Sequence, residues 1–214
     1  MQATNGNLEK DGYVVVGPVI SASECDSYSA YLNEHDGNNK RALLDEPWCR
    51  ALSEDLICRL ISVMPEIEGY SPVQCTLFQK NKNNNWLVAM HQDKSLSFNS
   101  ENDQEFYINT RVKDGLRVFQ PSVDILKKVI AIRLSLDASH KNNGPLRILA
   151  GTHAKGILDS NAMDTEKARV VETVPEIDRG GLLCIRPLLL HASSKSITAD
   201  QRRVFILPIV HSID

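Results

Sequence analysis

No apolar run in the sequence approaches the roughly 20 residues a helix needs to cross a bilayer. The opening segment, Met1-Gln-Ala-Thr-Asn-Gly-Asn7, lacks a charged-then-apolar leader pattern. A cytoplasmic protein with no membrane attachment is therefore expected. A basic excess is also missing: 24 Lys and Arg face 27 Asp and Glu, a formal net charge of -3. That balance argues against a dedicated nucleic-acid binder, which must neutralise phosphates. The five cysteines (Cys25, Cys49, Cys58, Cys75, Cys184) are odd in number and contain no Cys-x-x-Cys pair. Neither a disulfide framework nor a structural zinc site follows, and buried free thiols are expected. Repeats, low-complexity tracts and Pro/Ser-rich linkers are absent, so the 214 residues predict a single domain, 1–214. A monomer or a weak homo-oligomer is expected.

Local patterns give the order of elements. Tyr13-Val-Val-Val16 is a β-branched run suited to a strand. Ser21-Ala-Ser-Glu24 has the form of a capping box and opens a helix that ends near Asp36-Gly37. A second helix follows Pro47, with Leu52, Leu56, Leu60 and Val63 on one face. Strands are expected at 72–80, 86–92, 129–137, 169–174, 182–191 and 202–210. The clearest has Ile130, Ile132, Leu134 and Leu136 alternating with Ala131, Arg133, Ser135 and Asp137. Helices followed by short, turn-separated strands predict an α+β protein with a β-sandwich or jelly-roll core. Residues 94–128 read as a long polar connection, in which Phe106, Tyr107, Arg111, Lys113 and Arg117 could form a lid or an ordinary solvated loop.

Met90-His91-Gln92-Asp93 ends one expected strand, where alternate residues share a face, so His91 and Asp93 can converge. His191 closes the apolar run Leu188-Leu189-Leu190 and comes from elsewhere in the sheet. Two imidazoles and a carboxylate on one face make the facial triad of non-haem iron(II) oxygenases, although spacing alone admits several metals. Arg202, eleven residues after His191, could grip a dicarboxylate through paired charge-assisted hydrogen bonds. Read alone, it is equally a surface residue solvated beside Arg203.

Four blocks in order carry a resemblance. They are Asp11-Gly-Tyr-Val-Val15, Asn85-Trp-Leu-Val-Ala-Met-His-Gln-Asp93, Asn143-Gly-Pro-Leu-Arg147 with Ala150-Gly-Thr-His153, and Arg186-Pro-Leu-Leu-Leu-His-Ala-Ser-Ser194 leading to Arg202-Arg-Val204. Together they resemble the phytanoyl-CoA dioxygenase-like family of Fe(II)/2-oxoglutarate oxygenases, almost end to end. The resemblance implies a double-stranded β-helix (jelly-roll, cupin-like) flanked by N-terminal helices. It implies His91, Asp93 and His191 as iron ligands, Arg202 as the grip on the distal carboxylate of 2-oxoglutarate, and Ser193 and Gln74 as further co-substrate contacts. His153 matches a family histidine outside the triad and reads as structural; Trp86 reads as a packing residue. His35, His140 and His211 fall in turns or at the terminus. Ala150 departs from the family's usual proline.

The implied reaction uses dioxygen and decarboxylates 2-oxoglutarate to succinate and CO2 while oxidising a small-molecule substrate. Because Asp93 is present where related halogenases have a small residue, hydroxylation is the expected outcome. No basic cluster in the sequence recommends an acyl-CoA. A cupin-like metal enzyme of another class and a non-catalytic binding domain of the same fold remain open; Arg202 with Ser193 tells against the former, the complete triad against the latter.

Overall fold

The computed structural model describes residues 3–34, 42–97, 108–113 and 116–211. The chain opens with strands β1 (Ala3–Asn7) and β2 (Tyr13–Val16), then helices α1 (Ala22–Glu34) and α2 (Pro47–Ile61). Next come β3 (Tyr70–Pro72), β4 (Thr76–Lys80), β5 (Val88–His91), β6 (Leu96–Ser97), β7 (Ile108–Lys113) and β8 (Leu116–Gln120). Helix α3 (Val123–Lys128) leads to β9 (Ile130–Ser135) and β10 (Leu146–Leu149). Helix α4 (Ser160–Arg169) leads to β11 (Leu182–Ile185), β12 (Leu190–Ser193) and β13 (Arg202–His211).

Both long helices start where their chemistry directs. Ser21 and Glu24 form the reciprocal capping box: the Glu24 carboxylate accepts from the Ser21 amide at 2.7 Å, and the Ser21 hydroxyl from the Glu24 amide at 3.2 Å. Proline occupies the first turn of α2, where its missing N–H costs nothing. The stripe Leu52, Leu56 and Leu60 is buried against the large sheet, with Val63 partly buried beside it. Cys25, Cys49, Cys75 and Cys184 are buried as expected, whereas Cys58 is exposed on α2.

The large sheet has seven strands in the order β1-β2-β11-β9-β13-β3, with β4 also paired to β13. A smaller sheet, β10-β12-β5, lies against it, and β6-β8-β7 forms a third. All these ladders are antiparallel, so the strands build a jelly-roll with the helices on one outer face. Alternation on β9 sorts its two faces. Ile130, Ile132 and Leu134 join Phe205, Leu207 and Ile209 of β13 under the helices. Ala131 faces the interior with Tyr13, Val15, Leu183 and Ile185, against Leu146 and Ile148 of the small sheet.

Three expectations change. The span 182–191 is not one strand: β11 stops at Ile185, a turn closes from the Leu189 amide to Arg186 at 3.0 Å, and β12 begins in the other sheet. Pro187, with no N–H to give a ladder, sits in that turn. The span 169–174 forms no named strand. Thr173 makes one isolated bridge to Ile148, and Val171 is 87% exposed, so the β-branched run lacks a sheet edge to continue along. Residues 94–128 carry β6, β7, β8 and α3, the last capped by Ser122 accepting from the Ile125 amide at 3.3 Å, where a loop was expected. Phe106, Tyr107 and the side chains of Arg111 and Lys113 lie outside the described residues, as do His35, Asp36 and Gly37; Arg117 is exposed.

Leu56 is fully buried between α2 and the sheet. Leu56→Ala should lower unfolding free energy by about 2–5 kcal/mol in denaturant titrations. A loss under about 1 kcal/mol would contradict this packing.

Candidate metal centre

His91 and His191 are direct partners in the β5–β12 ladder, and the register shifts immediately afterwards, between His191 and Ser193. The two rings lie 4.3 Å apart, centroid to centroid. Each Nδ1 is 2.8 Å from the backbone carbonyl two residues earlier, Ala89 and Leu189 respectively. A carbonyl can only accept, so Nδ1 carries the proton in both rings and each Nε2 presents a lone pair. Asp93 lies just beyond the strand end and joins them. Its Oδ1 is 3.4 Å from His91 Nε2 and its Oδ2 3.5 Å from His191 Nε2. One donor atom from each residue falls within 4.8 Å of the others, a group that could hold a metal ion. Two imidazoles and a carboxylate with the rest of the sphere open suit a six-coordinate divalent ion such as Fe(II). Burial alone would raise the Asp93 carboxyl, but the two imidazoles beside it, His191 first, hold it well below the usual carboxylate range. The neighbouring Asp93 carboxylate raises His91.

The triad is held from behind. Gln92, only 5% exposed, donates to the carbonyls of Gly156 (2.8 Å) and Leu188 (2.7 Å) and accepts from the Leu158 amide (2.9 Å). The Asp93 amide donates to Pro187 at 2.9 Å. Thr152 donates to Leu149 and accepts from the Leu190 amide, fixing the residue before His191. The sequence singled out the ligands but not these supports, since a strand glutamine and a turn threonine carry no distinguishing pattern.

The triad opens into a cavity of about 710 Å³ between the sheets. Gln74, Phe78, Trp86, Arg133 and Ser193 also line it. Trp86, expected to be packing only, is half-buried on this wall with its ring 4.9 Å from that of Phe78. The Gln74 amide donates to Thr76 (2.7 Å) and accepts from Ser97 (2.6 Å). Arg202 stands behind the wall, 2% exposed, with Nη2 3.4 Å from the Ser193 hydroxyl and its guanidinium 5.4 Å from the Phe78 ring. Arg203 turns away, and its guanidinium forks onto Asp137 with two contacts of 2.8 Å. The other histidines are elsewhere. His153 packs on Gly12 and bonds the Glu9 carbonyl, His140 lies 3.9 Å from Asp200, and His211 meets the Tyr70 ring edge-on.

Lys80 was not anticipated. It is fully buried and donates to the Ser193 hydroxyl at 2.7 Å and to the Ser194 carbonyl. Gly144, with φ +76°, makes room for it: a Cβ there would lie 2.8 Å from the Ser194 carbonyl oxygen and 3.1 Å from Lys80 Cδ. Burial, then the charges of Arg202 and Arg133, bring the Lys80 ammonium down to about 7. Burial and Arg133 likewise bring Arg202 to about 9, still charged at neutral pH. Among the described residues, no carboxylate pairs with Lys80, Arg133 or Arg202, and the buried Nε of Arg202 has no partner. Cations buried in this way fit a ligand that brings carboxylates with it.

Two outcomes follow. Gln92→Leu removes three hydrogen bonds, so stability should fall by about 2–4 kcal/mol and metal affinity by roughly 10–100-fold; unchanged affinity in equilibrium dialysis would refute the supporting role. The folded protein sheds the Lys80 proton near pH 7, but the unfolded chain only near pH 10.5. Between those values the unfolded chain binds the extra proton, so ligand-free stability should rise with pH across that window. Lys80→Met should flatten that rise in chemical melts, and a slope that survives the substitution would belong to another group.

No curated protein matches the chain by sequence. Among solved structures, EctD from S. alaskensis with bound Fe is 15% identical with a TM-score of 0.68, covering 97% of this chain and 76% of its own. HygX from Streptomyces hygroscopicus with nickel and 2-oxoglutarate bound is 14% identical with a TM-score of 0.65, covering 96% and 84%. SnoN, a non-heme alpha ketoglutarate dependent epimerase from nogalamycin biosynthesis, is 13% identical with a TM-score of 0.66, covering 95% and 79%. At such identities the likeness is one of fold. The sequence itself matches the phytanoyl-CoA dioxygenase (PhyH) family across residues 8–204, nearly the whole length, and the chain belongs to that family.

Proposed function

We propose that this protein is a non-haem iron(II) oxygenase, built as a single catalytic domain, that uses 2-oxoglutarate and dioxygen to hydroxylate a small molecule. One observation carries the reading: three metal-ligand donors converge at a cavity that Ser193 also lines, and directly behind Ser193 lies a buried guanidinium, Arg202, with no carboxylate partner among the described residues. Family membership and the metal- and 2-oxoglutarate-bound relatives of the same fold support it.

Iron, when bound, supplies activation of dioxygen coupled to oxidative decarboxylation of the 2-oxo acid to succinate and CO2. This chain's residues do the rest. His91 and His191 present Nε2 because their Nδ1 protons are committed to carbonyls. Asp93 contributes an ionised carboxylate; with that position filled by protein, the site offers no vacancy of the kind a halide ligand uses, which favours hydroxylation. Arg202 and Ser193 hold the distal carboxylate of the co-substrate, and Gln74, on the cavity wall just before β4, is a further co-substrate contact. Apolar walls from Phe78, Trp86 and Ile206 keep water from the reacting centre.

Anaerobic addition of Fe(II) and 2-oxoglutarate should produce the weak visible charge-transfer band of the chelate, and air should then yield succinate. Absence of both would sink the proposal. Arg202→Ala should weaken 2-oxoglutarate binding on the order of 100-fold. Arg203→Ala should leave that binding unchanged but cost about 2–3 kcal/mol of stability by stranding Asp137. The reverse pattern would transfer the co-substrate role to Arg203.

A further inference from the structure

The oxygenase reading assigns Arg133 to neither the metal nor the co-substrate. It projects from β9 into the interior, 6% exposed, and lines the same cavity as His91, Asp93 and His191. Its ladder neighbours on either side are Ile206 and Leu183, which offer no acceptor side chain. Among the described residues it makes no ion pair, and Asp93 is the only acid on the cavity wall, where Lys94 adds a further base. An isolated guanidinium in an apolar setting is costly to keep.

Charge balance says what it is kept for. A divalent ion offset by Asp93 leaves one positive charge, and Arg202 adds another; the two carboxylates of 2-oxoglutarate cancel both. Lys80, tied to Ser193 and Ser194, does not line the cavity, so of the buried cations on its wall Arg133 is left over. We propose that Arg133 binds an acidic group, a carboxylate or its equivalent, of the primary substrate, so that the enzyme acts on an anionic small molecule. This deepens the oxygenase reading and rests on it. The guanidinium suits that role, because its planar fork pairs both oxygens of a carboxylate and it stays charged where a buried lysine would lose its proton. Its place in the triad's cavity would set the oxidised carbon at a limited reach from the acidic group.

The test uses protein loaded with Ni(II) and 2-oxoglutarate, so that binding is read without turnover. Calorimetric titration with a panel of four- to ten-carbon monocarboxylic acids and their uncharged primary amides should show acids binding roughly tenfold or more tighter than the matching amides. Arg133→Gln should abolish that preference while leaving 2-oxoglutarate affinity in place, and Arg133→Lys should restore part of it. The ligand-free Arg133→Gln protein should melt no lower than wild type, because an uncompensated buried charge has gone. No acid preference in the wild type, or a preference that survives Arg133→Gln, overturns the assignment. A variant that loses 2-oxoglutarate instead places Arg133 on the co-substrate and also overturns it. Wild-type protein that takes up the metal but no 2-oxoglutarate sinks the oxygenase reading itself, whereas 2-oxoglutarate binding without acid preference sinks only the role of Arg133.

Discussion

Positive charge sealed between two sheets without a carboxylate is the constraint to which the interior answers. Lys80, Arg133 and Arg202 are each less than a tenth exposed and have no acidic partner among the described residues. Removing one such ion from water costs several kcal/mol even after relaxation. The local structure offsets part of that. The Phe78 and Trp86 rings lie 5.6 and 5.7 Å from the Lys80 ammonium, and Arg202 also faces Phe78. The Ser193 hydroxyl accepts from both Lys80 and Arg202. Aromatic faces and one hydroxyl do not replace a counter-ion. A ligand-free interior of this kind is strained electrostatically, and an anion entering it relieves the strain that binding would otherwise have to overcome.

The jelly-roll supplies the rigidity this requires. The chain leaves the large sheet at Ile185, turns through Pro187 and enters the small sheet at Leu190. That change of sheet carries His191 across to face His91 in the ladder. Gln92 then ties the same turn to the segment after Thr152, so both metal-binding strands share one set of buried hydrogen bonds. Ligand convergence is therefore a property of the crossover and not of the His-x-Asp spacing alone. Asp93 lies outside β5 and still meets both histidines, because its amide is anchored to Pro187.

Much of this could be read before any coordinates. His91, Asp93 and His191 stood out because the motif blocks around them occur in a family's order, and the capping box at Ser21 because its chemistry is local. Alternation says that only one of Arg202 and Arg203 can point inward, and the family resemblance picks Arg202. What escaped depends on burial, which periodicity cannot supply. Alternation on β9 suits one wet and one dry face, yet both are buried, and nothing in the pattern marks Arg133 as interior. Lys80 ended an expected strand with nothing to mark it as interior. The short strands of 94–128 carry charged residues that obscure their period, and the β-branched 169–174 has propensity but no neighbouring edge.

The same electrostatics tie the metal to the anions. Among the described residues, Asp93 is the one carboxylate whose charge acts on Arg133. Its two oxygens lie 3.4 Å from His91 Nε2 and 3.5 Å from His191 Nε2. A divalent ion held by the triad would offset that carboxylate, so that the cations of the cavity would act together on an acidic ligand. On the proposed assignment, Arg202 and Ser193 serve the distal carboxylate of the co-substrate, while Arg133, laddered to Ile206 further along β13, serves the acidic group of the substrate.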